Sequence, residues 1–248
     1  MIRRILFICS ALVLCAASVS AQKTKPWTEW NDKDAIKMLT DSAWAQTQTE
    51  LTDSAQGNSG SAITAAAENK RNVDTSKSGE SGENIGKTNA SLSVKYHVSF
   101  LTAKPIRQAF IRMIELQRPE LTTEKVAELR TFVDRDFGEY VVVTLKVDGT
   151  DRKRIGPAMQ EIATADGEAL KTTTYLERKD GKRVSLSEYR APTPDGMGAK
   201  FVFPRMLDGQ PFIDANSGEL RVCIQIGKVK LNRRFKVADM IYEGKLEY

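Results

Sequence analysis

The chain is 248 residues long and carries a formal net charge of +5 at pH 7. This excess is too small to predict binding to nucleic acid or to an acidic substrate on charge alone. A single histidine, His97, excludes zinc sites that need two or three histidines. The sequence also lacks glycine-rich phosphate loops, a G-x-S-x-G elbow and Cys-His metal spacings, so we expect no cofactor and no metal.

Residues 1–21 have the pattern of a cleavable signal peptide. Two arginines precede an apolar run at residues 5–17, and Val19 and Ala21 occupy the small-residue positions of a peptidase site. No later stretch is long and apolar enough for a membrane span. We therefore expect cleavage near Ala21, export to the periplasm or the secreted space, and no transmembrane span in the mature chain.

Processing as a lipoprotein on Cys15 is the alternative, but Leu14 stands where that processing needs a small residue. Removal of the signal peptide, with Arg3 and Arg4, lowers the charge excess from +5 to +3. It also leaves Cys223 as the one cysteine, so an internal disulfide is excluded and the fold depends on its hydrophobic core.

Residues 22–51 predict a short amphipathic helical segment that holds all three tryptophans. Its apolar residues fall on one narrow face, with charged residues opposite. We interpret Trp27, Trp30, Leu39 and Trp44 as a docking surface. The occupant is either the chain's own domain or a partner, a protein or a component of the cell envelope.

Residues 52–91 are rich in Gly, Ser, Asn, Ala and Thr, contain no aromatic residue and show no sustained apolar period. This composition predicts a flexible linker, since it offers too little apolar surface to offset the entropy of ordering. Patterned sequence resumes at residue 92 and continues to residue 248, which is enough for one domain.

Residues 92–248 predict an α+β domain, because strand and helix periods do not alternate regularly. Strand patterns occur at residues 92–100 and 140–147, separated by two helix patterns. Later strands form hairpins at Asp180-Gly181 and Gly227-Lys228. We expect a mostly antiparallel β-sheet or two-layer β-sandwich with two to three covering helices, plus a separate N-terminal amphipathic helix.

The turn residues predict the strand-pairing register of each hairpin. At the first turn it pairs Glu177 with Val184, and at the second it pairs Ile226 with Val229. The second register places apolar residues at seven of eight positions on one face, so it is self-consistent.

Cys223 falls on the polar face of the second hairpin, beside Arg221, Gln225, Lys230 and Arg234. Nearby cations favour the reactive thiolate, which makes Cys223 a candidate reactive thiol. A strand position, however, supplies neither a helix N-terminus nor a partner cysteine, and a packed free thiol is the plainer interpretation.

Two basic stretches are candidates for anion binding. Their residues are Arg178, Lys179, Lys182, Arg183, Lys230 and Arg234. The plainer interpretation is that these side chains solubilise exposed strands and discourage edge pairing. No aromatic residues are interleaved with them, which argues against a base-stacking platform for nucleic acid.

Two acidic stretches are candidates for catalysis or metal binding. Asp134, Asp136 and Glu139 follow a predicted helix and are candidates for the paired carboxylates of a hydrolase. Residues 214–219, "DANSGE", faintly resemble a calcium loop but lack its later acidic ligands. A glycine-containing turn explains that stretch without a metal.

Five stretches resemble a family of exported bacterial proteins without a known activity. They are "KPWTEWNDKDAIKMLTDSAWAQTQTE", "FLTAKPIRQAF", "TYLERKDGKRVSL", "KFVFPRMLDGQPFI" and "FKVADMIYEGKLEY". The resemblance covers the N-terminal segment and nearly all of the domain after the linker. It implies an exported α+β protein of bacterial origin and transfers no catalytic residues.

Together these features predict a non-enzymatic binding or interaction module of the periplasm or secreted space. The alternative is a carboxylate-dependent hydrolase that acts on envelope or extracellular material.

Overall fold

A computed structural model describes residues 25–51, 93–149 and 152–248. The predicted signal peptide at 1–21 and the predicted linker at 52–91 lie outside these residues. Within them, no helix has both the length and the apolar character needed to cross a membrane.

The helices in the described ranges are α1 (Asp32–Thr40), α2 (Lys104–Gln117), α3 (Thr123–Thr131), α4 (Arg152–Ala163) and α5 (Gly167–Thr173). Short 3₁₀ turns lie at Trp27–Glu29 and Val237–Asp239. The longer strands are β1 (Ala45–Leu51), β2 (Ser93–Phe100), β3 (Tyr140–Asp148), β4 (Tyr175–Arg178), β5 (Arg183–Ser185), β6 (Glu188–Arg190), β7 (Ala199–Pro204), β10 (Glu219–Ile226) and β11 (Val229–Lys236). Four two-residue strands complete the set: β8 (Met206–Leu207), β9 (Gln210–Pro211), β12 (Ile241–Tyr242) and β13 (Lys245–Leu246).

Two antiparallel sheets form the body of the protein. The first sheet has the order β1-β2-β3-β7-β6, and the second has the order β11-β10-β4-β5. The small pairs β8–β9 and β12–β13 lie outside them. The predicted α+β class with antiparallel sheets is therefore confirmed.

The main core includes alternate side chains from both sheets. Phe100 of β2 and Phe235 of β11 join the two, since their rings meet edge to face with centroids 4.9 Å apart. From the helices, Ile106, Ile162 and Leu170 add to the same cluster. Burial of this apolar surface supplies the main stabilising free energy, as expected for a chain whose one described cysteine is free.

The N-terminal segment is helical over only part of the predicted range. Helix α1 begins at an Asn31–Asp34 capping box and ends at Thr40. Residues 45–51 then form β1, which pairs with β2 along its whole length. The sequence "AQTQTEL" carries no apolar alternation, so its strand character was missed. Its β-branched threonines nevertheless suit a strand, and the pairing satisfies its backbone.

Leu51 and Ser93 are register partners in the β1–β2 pair. Residues 51 and 93 therefore lie at adjacent points of the sheet. In the described structure, the N-terminal segment contributes β1 to the domain's own sheet.

The predicted register of the β10–β11 hairpin is confirmed. Ile226 pairs with Val229 and Cys223 pairs with Asn232. The turn begins at Gly227, whose φ is +51°, a left-handed conformation that glycine adopts without steric cost. The exception on the apolar face is Arg233, whose guanidinium crosses to β1 and donates to the Thr47 carbonyl at 3.4 Å.

The predicted register of the β4–β5 hairpin is wrong by one residue. Glu177 pairs with Arg183, and Leu176 pairs with Val184. Gly181 has φ +83° and donates to the Arg178 carbonyl, while the Arg178 amide donates to the Lys182 carbonyl. A three-residue turn with a left-handed glycine replaces the two-residue turn, and the added residue shifts every pair.

Side chains bridge the seam between β1 of the first sheet and β11 of the second. Gln46 donates to the Arg234 carbonyl, and Gln48 donates to the Lys230 carbonyl at 3.0 Å. These amides satisfy backbone acceptors on a sheet edge, which otherwise invite pairing with another chain.

Candidate functional site

A basic face covers the solvent side of the second sheet. Because side chains alternate along a strand, the pairings place one set of residues on that side. Its cations are Arg183, Arg221, Lys230, Arg234 and Lys236, and its acids are Glu177 and Glu219. We call this set the basic face.

One row of the basic face crosses all four strands in register. Arg183, Glu177, Arg221 and Arg234 follow one another from β5 to β11. Neighbouring strands lie about 4.8 Å apart, so the row places three guanidinium groups and one carboxylate within a short span. Arg221 and Arg234 are direct cross-strand partners of like charge, an arrangement that costs stability unless an anion lies between them.

Glu177 organises this row. Its side chain is 6% exposed, and it accepts hydrogen bonds from both Arg183 and Arg221. One nearly buried carboxylate thus fixes two arginines that are themselves partly exposed. Arg234 has a looser partner, since its Nη1 lies 3.6 Å from Glu219 Oε1 and its side chain is 64% exposed.

Cys223 lies in the next row of the same face, opposite Tyr175 of β4. Burial leaves 8% of Cys223 exposed. A hydrogen bond to Cys223 raises the pKa of the Tyr175 hydroxyl, with burial as the second cause. Arg183 lies over the Tyr175 ring at 4.3 Å, so that ring face is already occupied.

The β4–β5 turn contains the remaining predicted anion-binding residues. Lys179 and Lys182 are exposed at its tip. Arg178 lies on the opposite side of the strand from Glu177 and donates to the Phe212 carbonyl at 3.1 Å and to Asp180 at 3.0 Å. The basic face therefore includes Arg183, Lys230 and Arg234 of the predicted set, and Arg178 is separate from it.

The predicted docking residues contact the chain itself. Trp44 is 6% exposed, its Nε1 donates to the Glu247 carbonyl at 2.8 Å, and its ring meets Tyr242 edge to face. This indole is part of the core and has no free face for a partner. Leu39 is half-buried against the same core.

The other two tryptophans lie nearer the surface. Trp27 packs under the Arg130 guanidinium, whose Cζ is 5.4 Å from the ring centroid. Trp30 donates from Nε1 to the Lys25 carbonyl at 3.1 Å, and its own carbonyl accepts from Arg112 at 2.7 Å. Both are half-buried, and both connect the N-terminal segment to helices α2 and α3.

His97 connects three neighbouring strands of the first sheet. Its Nδ1 lies 2.7 Å from the Thr47 hydroxyl of β1, and its Nε2 lies 3.8 Å from Asp148 of β3. The Thr47 hydroxyl donates to the Thr40 carbonyl at 2.8 Å, so its only proton is already used. His97 must therefore donate to Thr47 rather than activate it, and the arrangement is a structural link rather than a nucleophile with its base.

The acidic candidates are exposed and individually occupied. Asp134 pairs with Lys104 at 3.2 Å, and Asp136 accepts from the Gly138 amide at 2.8 Å. Glu139 is exposed beside them. Asp214 accepts from the Asn216 amide at 2.7 Å, which is the hydrogen bond of a loop turn. Residues 25–51, 93–149 and 152–248 contain no cluster of three or more His, Cys, Asp or Glu side chains able to hold a metal ion.

Sequence reasoning missed Glu177 and the row it organises. The shifted register of the β4–β5 hairpin placed Glu177 opposite Val184 instead of Arg183. A glycine that follows Asp180 is compatible with both turn lengths, so the sequence pattern did not separate the two registers.

Comparison with known proteins gives no functional assignment. No family model matches the sequence, and no curated protein matches it. A crystal structure of a protein of unknown function from Burkholderia pseudomallei K96243 is similar over 57% of this chain and 74% of that chain. The TM-score is 0.37 and the sequence identity is 12%, a level of similarity that supports no inference about this protein.

Proposed function

We propose that this protein is an exported, non-enzymatic binding module whose basic face holds a polymer with repeated negative charges. The observation that carries the proposal is the arginine row at Arg183, Arg221 and Arg234. Glu177 is the one carboxylate within the row, and Glu219 beside it is a loose partner of Arg234. Guanidinium groups bind phosphate and carboxylate oxygens through paired N–H donors, so an exposed row of them favours an oxyanion ligand.

The surroundings of the row favour a polymer over a lipid surface. The large apolar side chains exposed in the described residues are Ile36, Tyr140, Met159, Met206 and Ile241. None of them belongs to the basic face. A membrane would be held there by charge alone, without the apolar insertion that strengthens interfacial binding.

The same face lacks the aromatic groups that nucleic-acid binding uses. Tyr175 is its one aromatic residue among the paired strands, and Arg183 covers that ring. A single ring with one face occupied by Arg183 does not form a stacking platform for successive bases, and the charged backbone of a non-nucleic polymer is the better match.

The exposed acids do not favour the hydrolase alternative. Asp134 forms an ion pair with a lysine, and Asp136 accepts a hydrogen bond from a backbone amide. Neither lines the cleft beside Gly227 or the cleft beside Phe235. A binding role needs only the cationic surface that the second sheet presents.

Binding of inorganic polyphosphate to the mature protein tests the proposal. The double variant Arg183→Gln/Lys230→Gln removes two cations of the basic face and should weaken binding by about tenfold or more. The matched control Lys33→Gln/Lys37→Gln removes two exposed charges from α1 and should leave the affinity within about twofold. Equal affinity of the two variants, or no binding by the unmodified protein, would refute the proposal.

A further inference from the structure

A cleft lies where the N-terminal segment meets the edge of the basic face. It measures about 440 Å³. The N-terminal segment contributes Ser42, Ala43 and Gln46 to its lining, β11 contributes Arg234 and Lys236, and the following 3₁₀ turn contributes Asp239. We call it the seam cleft.

Two cationic side chains of β11 line the seam cleft. Arg234 and Lys236 are both exposed and stand two positions apart, so their side chains lie on the same side of the strand. Glu219 of β10 is the cross-strand partner of Lys236 and lies 3.6 Å from Arg234, so a phosphate bound here displaces this loose ion pair. Arg234 is also the end of the arginine row. An oxyanion in the cleft is therefore continuous with the surface that holds the rest of an anionic chain.

The remaining polar groups of the cleft favour hydroxyl donors. Gln46 uses its amide N–H to donate to the Arg234 carbonyl, which leaves its side-chain oxygen as an acceptor. Ser42 donates its hydroxyl proton to the Met38 carbonyl at 2.8 Å and accepts from the Trp44 amide at 3.2 Å, which leaves one lone pair of its oxygen as an acceptor. Asp239 is an exposed carboxylate and repels a second anion at its end of the cleft.

We infer that the seam cleft binds one phosphate-ester unit of a polyol chain. The phosphate lies between Arg234 and Lys236, and the hydroxyl groups of the polyol donate to Gln46 and Asp239. The volume lies within the ordinary range of small-ligand sites, about 300–1,000 Å³, and suits a unit of this size. This inference rests on the proposed function and specifies the partner of the same surface.

The N-terminal segment has a role in this site that differs from the predicted one. It supplies one wall of the cleft through Ser42, Ala43 and Gln46, while Trp44 between them is buried in the core. The tryptophan thus positions the wall and does not itself contact a partner.

Titration with glycerol 3-phosphate, inorganic phosphate and glycerol, each alone, tests the inference. We expect glycerol 3-phosphate to bind about tenfold or more tightly than either fragment, since only it engages both ends of the cleft. Asp239→Asn should weaken binding of glycerol 3-phosphate severalfold without weakening binding of polyphosphate. The control Glu128→Gln, which removes an exposed carboxylate of α3, should change neither.

The outcomes separate the two proposals. If glycerol 3-phosphate binds no better than inorganic phosphate, or Asp239→Asn has no effect, while polyphosphate still binds, the inference about the seam cleft is wrong and the basic face stands. If neither probe binds, both proposals fail.

Discussion

Individual polar side chains connect the basic face to the buried part of the fold. Glu177 is 4% exposed, yet its carboxylate holds two arginines that reach solvent. A nearly buried carboxylate is costly unless its hydrogen bonds are made, so this residue ties the shape of the basic face to the stability of the fold.

Replacement of Glu177 by glutamine tests that link. Glu177→Gln keeps the size of the side chain but removes the charge that Arg183 and Arg221 share. We expect the free energy of unfolding to fall by about 1–3 kcal/mol, because the amide keeps an acceptor oxygen for only one arginine and turns an N–H donor toward the other. Glu188→Gln breaks the exposed pair with Arg190 and should cost about 1 kcal/mol or less. Urea unfolding of both variants measures the difference, and equal losses would show that Glu177 has no special role.

The environment of His97 predicts a pH dependence of the free energy of unfolding. Burial is the main cause that lowers the pKa of His97 below its ordinary value of 6.5. Lys146 on β3 and Lys95 on its own strand also lower this pKa, whereas Asp148 on β3 raises it. From β1, the uncharged Thr47 hydroxyl faces it.

The sign of the effect follows from the lowered pKa. As the pH falls through 6.5, the unfolded chain takes up the proton first, so the free energy of unfolding falls until folded His97 is protonated as well. We expect His97→Gln to lose less stability between pH 7 and pH 5 than the unmodified protein. Chemical denaturation at a series of pH values measures this, and parallel pH profiles would contradict the assignment.

At the scale of elements, β1 is the longest of the strands that the sequence did not predict, and it lacks an apolar pattern. The β10–β11 hairpin was predicted in full because its apolar alternation and its Gly227 turn agree with each other. Strand β1 instead places Gln46 and Gln48 toward the seam, where their amides bond to the edge of the second sheet. A strand whose polar side chains bond to the edge of another sheet has no hydrophobic period in its sequence.

The pairing of Leu51 with Ser93 predicts that the 41 residues numbered 52–92 are replaceable. A two-residue Asn-Gly turn fits the antiparallel ends of β1 and β2. Because a shorter loop costs less entropy to close, we expect the exchange to raise the free energy of unfolding by about 3 kcal/mol. Thermal and urea unfolding measure the change. A variant that loses the burial of Trp44, seen in its fluorescence, would contradict the pairing.

At the scale of the whole molecule, the N-terminal segment contributes side chains to the hydrophobic core of the domain. Trp44 packs against Tyr242 and donates to Glu247, and the Glu247 carboxylate accepts from the amide of Lys104 at the start of α2. The sequence predicted the fold class and the amphipathic helix from local patterns. Docking of the tryptophan segment on the chain's own domain was one of two alternatives that the sequence left open. The specific contact between residue 44 and residue 247 was not predicted, because it depends on the tertiary fold and leaves no local period.

The resemblance to exported bacterial proteins and the signal peptide at residues 1–21 stay predictions. The described fold consists of two packed antiparallel sheets, and the exposed side of the second sheet carries the basic face. The proposed function depends on that surface acting through its charges.

The salt dependence of polyphosphate binding tests this claim most directly. For the unmodified protein, the logarithm of the affinity should fall linearly with the logarithm of the salt concentration. The slope for Arg183→Gln/Lys230→Gln should be shallower by about 1–2, while the slope for Lys33→Gln/Lys37→Gln should match the unmodified protein. An affinity that is independent of salt, or equal slopes for all three proteins, would contradict the account.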